Sequence, residues 1–265
     1  WMSASAFCMS LLWRRSATPY SVITASMKWL VWSMWLAKGK EVPNFNIYTE
    51  VLQDAPVQLM REGRVLSASA CSLTVTNDCL RGIYDDMDFF KDKLVLRPSE
   101  ISNCPEVIAR IGVCSLNTAI EADIYGHVNS TKICGTKMMN GIGGSADFTN
   151  NAYLSIFTCG STAKGGAISS IIPFCSHVDH TSHFIDAIIT EYGVADLRGK
   201  CSMQKADALI NVAHPDYRPL LREYLKHAER FGGHTHHCLS AAFAMHDTFL
   251  RKGDMRLTDF SEYIK

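Results

Sequence analysis

The sequence predicts an α/β fold, an open and mostly parallel sheet flanked by helices, from three observations. A strand, helix, strand succession runs from Phe45 to Ser72, strand-like stretches then recur as far as Thr190, and the last third of the chain turns to helical periodicity. Residues 45–49 read as a short strand, residues 51–61 place apolar side chains at helical spacing, and residues 65–72 are strand-like again. That order favours parallel pairing, because a helix is the usual crossover between parallel strands. Further strands are expected over 93–96, 113–119, 153–157, 167–172 and 185–190, with a helix over 106–111. Helices are expected over 206–212, 217–230 and 238–250, where apolar and polar faces alternate with the 3.6-residue period that lets a helix cover a sheet.

Composition bounds the function. With 265 residues, 47% of them hydrophobic, the chain can bury a full core, and its 26 basic and 26 acidic side chains leave no net charge to gather nucleic acid or anionic lipid. An anionic ligand must therefore be held by a local site. The ten cysteines contain no C-x-x-C pair, a pattern that fits reduced thiols inside a cell better than disulfides or zinc. The most apolar run near the start, residues 29–37, is far short of the roughly 20 residues that span a bilayer. Residues 1–43 form an atypical N-terminal segment ahead of a domain over 44–265. The first 40 residues hold all five tryptophans and no Asp or Glu, and the chain opens on Trp1, which points to a fragment of a longer sequence. An acid-free, Arg-containing leader resembles an organellar transit peptide; a misread or truncated end joined to a sound domain is the alternative.

Three features could carry chemistry. Glu50 stands at the end of the strand expected over 45–49, where ligands of open α/β sheets bind, so it is a candidate nucleophile or base. It could also be an acid in the first turn of the helix expected over 51–61, and position alone favours that plainer role. The stretch Asn140-Gly141-Ile142-Gly143-Gly144-Ser145 lies in the glycine-dense region between Asn129 and Gly166 and could turn backbone N–H groups toward an oxyanion or phosphate, or could be a bare turn. It is neither a dinucleotide fingerprint nor a Walker A loop, which argues against nucleotide hydrolysis. The third feature is His177-Val178-Asp179-His180-Thr181-Ser182-His183, whose spacing could ligate a metal but whose setting, a polar loop after Pro173, favours structural hydrogen bonding. The later His234-Thr235-His236-His237 reads as a loop leading into a helix.

Several runs together resemble the acetyl-CoA hydrolase/CoA-transferase family: Tyr48-Thr49-Glu50-Val51-Leu52-Gln53-Asp54, Asp123-Ile124-Tyr125-Gly126-His127-Val128-Asn129-Ser130, and Gly135-Thr136-Lys137-Met138-Met139-Asn140-Gly141-Ile142-Gly143-Gly144. Ser176-His177-Val178-Asp179-His180, Thr190-Glu191-Tyr192-Gly193-Val194-Ala195-Asp196-Leu197-Arg198-Gly199 and Ala213-His214-Pro215-Asp216-Tyr217-Arg218 extend the resemblance over residues 44–255. Succinyl-CoA:acetate CoA-transferases and acetyl-CoA hydrolases are the members it is most similar to.

The resemblance implies the C-terminal domain of a normally two-domain CoA-transferase. It also implies that Glu50 is a nucleophile forming a glutamyl-CoA thioester and that the Gly144 N–H is an oxyanion donor. Asn140 and Lys164 match positions that contact CoA; Asn103 and Glu191 match polar residues lining the site; Glu121 ranks behind Glu50 as a structural or substrate-orienting acid. Coenzyme A is then substrate and covalent intermediate, with no prosthetic group and no metal. The implied partners are an acyl-CoA and a short-chain carboxylate, with no nucleic acid and no membrane; a homodimer is the candidate assembly. The implied setting is acetate and acetyl-CoA metabolism inside the cell, in the mitochondrion of a eukaryote or otherwise in the cytoplasm. Water as acceptor would make a hydrolase of the same site, and a catalytically silent truncated domain that pairs with a full-length copy is a further alternative. One departure stands out: a glycine-rich CoA loop is expected roughly 30 residues before the glutamate, where close backbone approach needs glycine, and here Tyr20-Ser21-Val22-Ile23-Thr24-Ala25-Ser26 contains none.

Overall fold

The computed structural model describes residues 44–264 and the strand Ser21–Thr24; the remainder of the atypical segment lies outside the described residues. Two compact units result. The first takes the described residues as far as Thr118 and again over Gly143–Ile156; the second takes Ala119–Ile142 and the described residues from Phe157 onward.

The first unit is built on a parallel sheet in the order Cys114–Thr118, Ser21–Thr24, Phe45–Tyr48, Val65–Ala70, Leu94–Leu96. The helix Asp54–Arg61 crosses between Phe45–Tyr48 and Val65–Ala70, and it buries Ala55, Val57, Leu59 and Met60 in a cluster with Ile47, Leu52, Val65, Ala68 and Phe90. A helix was expected from residue 51, but it starts at Asp54. Leu52 O accepts from Thr74 N at 2.8 Å, and Val51–Leu52 pair in parallel with Ser72–Leu73, so these two residues stay extended. Pro56, which has no N–H to give, then sits in the first turn, where that donor has no intrahelical partner anyway.

Four helices here escaped the sequence reading: Asn77–Asp85, Met87–Phe90, Ser99–Ser102 and Ser145–Asn151. Three of them have at most seven residues, and Ser99–Ser102 and Ser145–Asn151 carry only one or two apolar side chains each, too few to mark a face. The fourth starts at a Thr76 cap, whose side chain accepts from Cys79 N. The stretch 20–26, where the glycine loop was expected, contributes the strand Ser21–Thr24 between Phe45–Tyr48 and Cys114–Thr118.

In the second unit, Glu121–Asp123 lies between Ile171–Ile172, to which it is parallel, and Val128–Asn129, to which it is antiparallel. Ala187–Thr190 and Gly193–Asp196 form a tight antiparallel hairpin. All four residues of Ala187–Thr190 are buried, the pattern of a strand covered on both faces. The strand expected over 167–172 divides at Ser170: Ile168–Ser169 pairs back on Thr162–Ala163, while Ile171–Ile172 joins Glu121–Asp123.

The helical last third is present as Ser202–Val212, Arg218–Ala228 and Ala244–Lys252, which pack Leu209, Ile210, Leu221, Tyr224 and Met245 into one core with Ile124, Phe157, Ile171 and Ile188. The last helix begins six residues later than the 238–250 expected, after a separate 3-10 turn at Leu239–Ala241. No helix among the described residues is long and apolar enough to cross a membrane.

Candidate active site

The parallel strand Phe45–Tyr48 ends just before Glu50, so the carboxylate stands beyond the carboxyl edge of a sheet strand. Its backbone is fixed from the neighbouring strand end: Thr49 N donates to Ser69 O at 2.9 Å, and Glu50 O accepts from Cys71 N at 2.8 Å and Ser72 N at 3.0 Å. With the main chain held on that side, the half-buried side chain is left to the site. The plainer role for Glu50 fails on position, because the acid in the first turn of the following helix is Asp54.

Facing Glu50 is the end of the glycine stretch. Gly144 N donates to Glu50 Oε2 at 2.5 Å. Gly144 caps the helix Ser145–Asn151 with φ −81° and ψ 7°, angles any residue adopts, so its backbone does not demand glycine. Space does. A Cβ at Gly144 would stand 2.7 Å from Glu50 Oε2 and 3.1 Å from Asn103 Cγ, with Asn103 Nδ2 closer still. Gly143 differs: its φ of +53° is the left-handed region, and a Cβ there would also approach Glu50 Oε2 at 3.1 Å.

Asn103 completes this cluster. It is the C-cap of the short helix Ser99–Ser102, with its N–H on Ser99 O at 2.8 Å, and its Oδ1 is buried with no partner among the described residues. An unpaired buried carbonyl beside a carboxylate and a backbone donor is what a polar ligand would satisfy.

Asn140, Lys164 and Glu191 belong to the second unit. Asn140 is exposed and gives Nδ2 to Ser130 O at 2.6 Å. Lys164 is an exposed residue at φ 48° in the turn Lys164–Gly166, with Nζ 4.9 Å from the Phe249 ring centre; Tyr217 Oη anchors that turn by donating to Gly166 O at 2.6 Å. Glu191, in the hairpin turn, accepts from Ser161 N at 2.8 Å and Ser161 Oγ at 2.5 Å.

Glu121 is a structural acid in this geometry. It is 4% exposed, accepts from Ser176 N and Oγ at 2.8 and 2.6 Å and from Asn129 Nδ2 at 2.9 Å, and pairs with His246 Nε2 at 2.9 Å. Burial alone would raise its pKa, but the His246 hydrogen bond and charge with the Ser176 and Asn129 donors outweigh it, and the carboxyl lies below its ordinary 4.5. A depressed carboxylate stabilises the fold above the unfolded-state pKa, and that contribution is lost as pH falls through the folded one. Thermal unfolding should therefore show stability declining below about pH 4.5, a decline flattened in Glu121→Gln. His246→Leu, which strands a buried carboxylate, should cost on the order of 3 kcal/mol in denaturant unfolding.

The histidine loop is likewise woven into hydrogen bonds. Asp179 accepts from Ser130 N at 2.8 Å and Thr131 Oγ1 at 2.9 Å and pairs with His177 Nε2 at 3.2 Å. His180 lies against Phe157, and burial lowers its pKa. In the second histidine run, His237 Nδ1 meets Tyr224 Oη at 2.9 Å.

The sequence reading missed Tyr48 as part of this neighbourhood. Its hydroxyl bonds Ile101 O and its ring meets Phe148; neither partner is visible from the sequence, since both come from short helices that were not foreseen.

The model of the acetyl-CoA hydrolase/transferase C-terminal domain matches residues 80–225. The propanoyl-CoA:succinate CoA transferase of Escherichia coli is 52% identical over 221 residues, 83% of this chain and 44% of that protein. The succinyl-CoA:acetate CoA-transferase of Clostridium kluyveri is 52% identical over 215 residues, 80% of this chain and 40% of that protein. Among solved structures, RipA from Yersinia pestis superposes with a TM-score of 0.70 at 25% identity, covering 84% of this chain and 52% of that one. The chain thus spans less than half the length of those two curated relatives. It belongs to the acetyl-CoA hydrolase/transferase family and carries that family's C-terminal domain.

Proposed function

We propose that the protein moves coenzyme A between small carboxylic acids, from succinyl-CoA or acetyl-CoA to acetate or succinate, through a thioester on Glu50. The observation that carries this reading is the hydrogen bond from Gly144 N to Glu50 Oε2 at the carboxyl end of a parallel strand.

A Glu50 carboxylate oxygen attacks the thioester carbonyl carbon, the C–S bond breaks, and CoA leaves as thiolate, giving an acyl-glutamyl anhydride. The thiolate then attacks Glu50 Cδ and expels the acyl group as free carboxylate, which leaves glutamyl-CoA. A second carboxylate reverses both steps. Dividing the transfer in this way replaces one difficult displacement by easier ones. Because the Gly144 N–H already bears on a Glu50 oxygen, its leverage falls on the steps in which Glu50 Cδ is itself attacked and that oxygen becomes the oxyanion.

Asn103 beside Gly144 would orient the acyl carboxylate or the thioester. Asn140 and Lys164 are proposed to contact CoA, the lysine as a point charge for phosphate, and Glu191 to line the site. Coenzyme A is the covalent partner, and the chemistry calls for no prosthetic group. The nine cysteines among the described residues are free, which fits a reducing compartment such as the mitochondrion of a eukaryote or a bacterial cytoplasm.

Thioester loss followed with and without added carboxylate tests the acceptor. Loss of acetyl-CoA that requires succinate, with succinyl-CoA as product, is the result expected. Equal loss in its absence would make water the acceptor and the protein a hydrolase. No loss in either case would favour a silent domain, the reading to which the strand Ser21–Thr24 in place of a glycine loop lends support.

A further inference from the structure

Tyr48 has no place in the chemistry above, yet one side chain connects the two pieces that flank Glu50. It ends the strand Phe45–Tyr48, two residues before the carboxylate, and is 8% exposed. Its hydroxyl donates to Ile101 O in the helix Ser99–Ser102, whose C-cap is Asn103. Its ring meets Phe148 edge to face, with centroids 6.3 Å apart and planes at 70°. Phe148 N in turn donates to Gly144 O at 3.1 Å, the first bond of the helix that Gly144 caps. Ile108 and Val113 close the same small cluster.

Neither flanking piece is self-supporting. A four-residue helix has too few internal bonds to hold its own place, and the Asn103 Oδ1 has no partner among the described residues to anchor it. The direction of the Asn103 amide therefore follows from where Ser99–Ser102 is tied. The seven-residue helix behind Gly144 is similarly short and depends on its buried Phe148 and Thr149. A phenylalanine at position 48 would fill the same volume, so the hydroxyl is the part that packing alone does not explain.

We propose that Tyr48 is a positioning residue for the Glu50 chemistry: through its hydroxyl it sets the Asn103 helix, and through its ring the Gly144 turn. This rests on the reading of Glu50 as the nucleophile. Misplacement of an aligned group by about 1 Å can cost on the order of 100-fold in rate, so a loosened brace should show in the chemical step more than in substrate binding.

The test uses the full chain with Tyr48→Phe, Tyr48→Leu and, as a control that thins the same cluster without touching either tie, Ile108→Val. Covalent labelling of Glu50 by succinyl-CoA is timed, the KM for acyl-CoA is measured, and hydrogen exchange is followed at the Asn103 and Gly144 amides. In Tyr48→Phe, labelling should slow about 10-fold with KM and melting temperature near wild type, and exchange should quicken at Asn103 alone. Tyr48→Leu should quicken both amides and label more slowly still, while Ile108→Val keeps the wild-type rate. Wild-type labelling in Tyr48→Phe, or equal slowing in Ile108→Val, overturns the proposal. If the wild-type protein takes no label, the Glu50 reading is what has failed; unchanged Asn103 exchange in Tyr48→Phe would then overturn the brace on its own terms.

Discussion

Glu50→Gln is expected to lower CoA transfer by about 10⁴-fold or more while the melting temperature stays close to that of the unaltered protein. The two halves of that expectation come from different parts of the structure. Glutamine keeps the length of the side chain and still offers an oxygen to the Gly144 N–H, but its amide cannot form the anhydride. The fold has little to lose, because what holds residue 50 is its backbone carbonyl, bonded by Cys71 N and Ser72 N, and the side chain belongs to none of the buried apolar clusters. Glu121→Gln should behave oppositely, losing stability through its buried contacts with His246, Ser176 and Asn129. Parallel transfer assays and thermal unfolding of the two variants separate the roles. A Glu50→Gln protein that transfers CoA at a wild-type rate would remove the nucleophile from the account.

Gly144→Ala should have the second largest effect, a fall in kcat of about 10²–10³-fold, the loss usual when an oxyanion donor is displaced. The loss comes from want of space. Alanine tolerates the local angles, φ −81° and ψ 7°, so a glycine kept only for conformation would be replaceable here. The added methyl would instead stand 2.7 Å from Glu50 Oε2 and press on the Asn103 amide, so the carboxylate or the amide must leave its place. Gly143→Ala carries the other kind of cost, about 1–2 kcal/mol for a left-handed alanine, and should appear as lost stability together with lost rate. Steady-state kinetics with unfolding of both variants tell the mechanisms apart; a fully active Gly144→Ala would mean that its N–H does not serve the reaction.

How far the sequence could be read depended on how plainly each element marks an apolar face. The crossover helix Asp54–Arg61 and the helices Ser202–Val212 and Arg218–Ala228 carry two or more turns of apolar periodicity, and all were foreseen to within a few residues. Ser99–Ser102 and Ser145–Asn151 carry only one or two apolar residues each and were not, although the first sets Asn103 and the second Gly144. The stretch 167–172 looked like one strand because each half is apolar; its division at Ser170 follows from two different pairing partners, which no local pattern encodes.

At the site, Glu50 beyond a strand end was legible as a candidate, but position alone favoured a helix first-turn acid. Three extended residues ahead of Asp54, held by bonds to distant amides, decided otherwise. The Gly144–Glu50 contact spans 94 positions and the His246–Glu121 pair spans 125; such pairs exist only once the chain has folded. The glycine stretch lies beside Glu50, but the sequence does not show that Gly143 is needed for its angles and Gly144 for its missing side chain.

The proposed transfer requires CoA to become bonded to Glu50. Its most direct test is the intact mass and peptide map of the protein after incubation with succinyl-CoA or acetyl-CoA and borohydride, which reduces an enzyme thioester to the primary alcohol and frees the CoA thiol. The modification is expected to map to residue 50, to be absent from Glu50→Gln and to persist in Glu121→Gln. A folded wild-type protein that carries no modification, or one that carries it at Glu121, would contradict the proposed transfer.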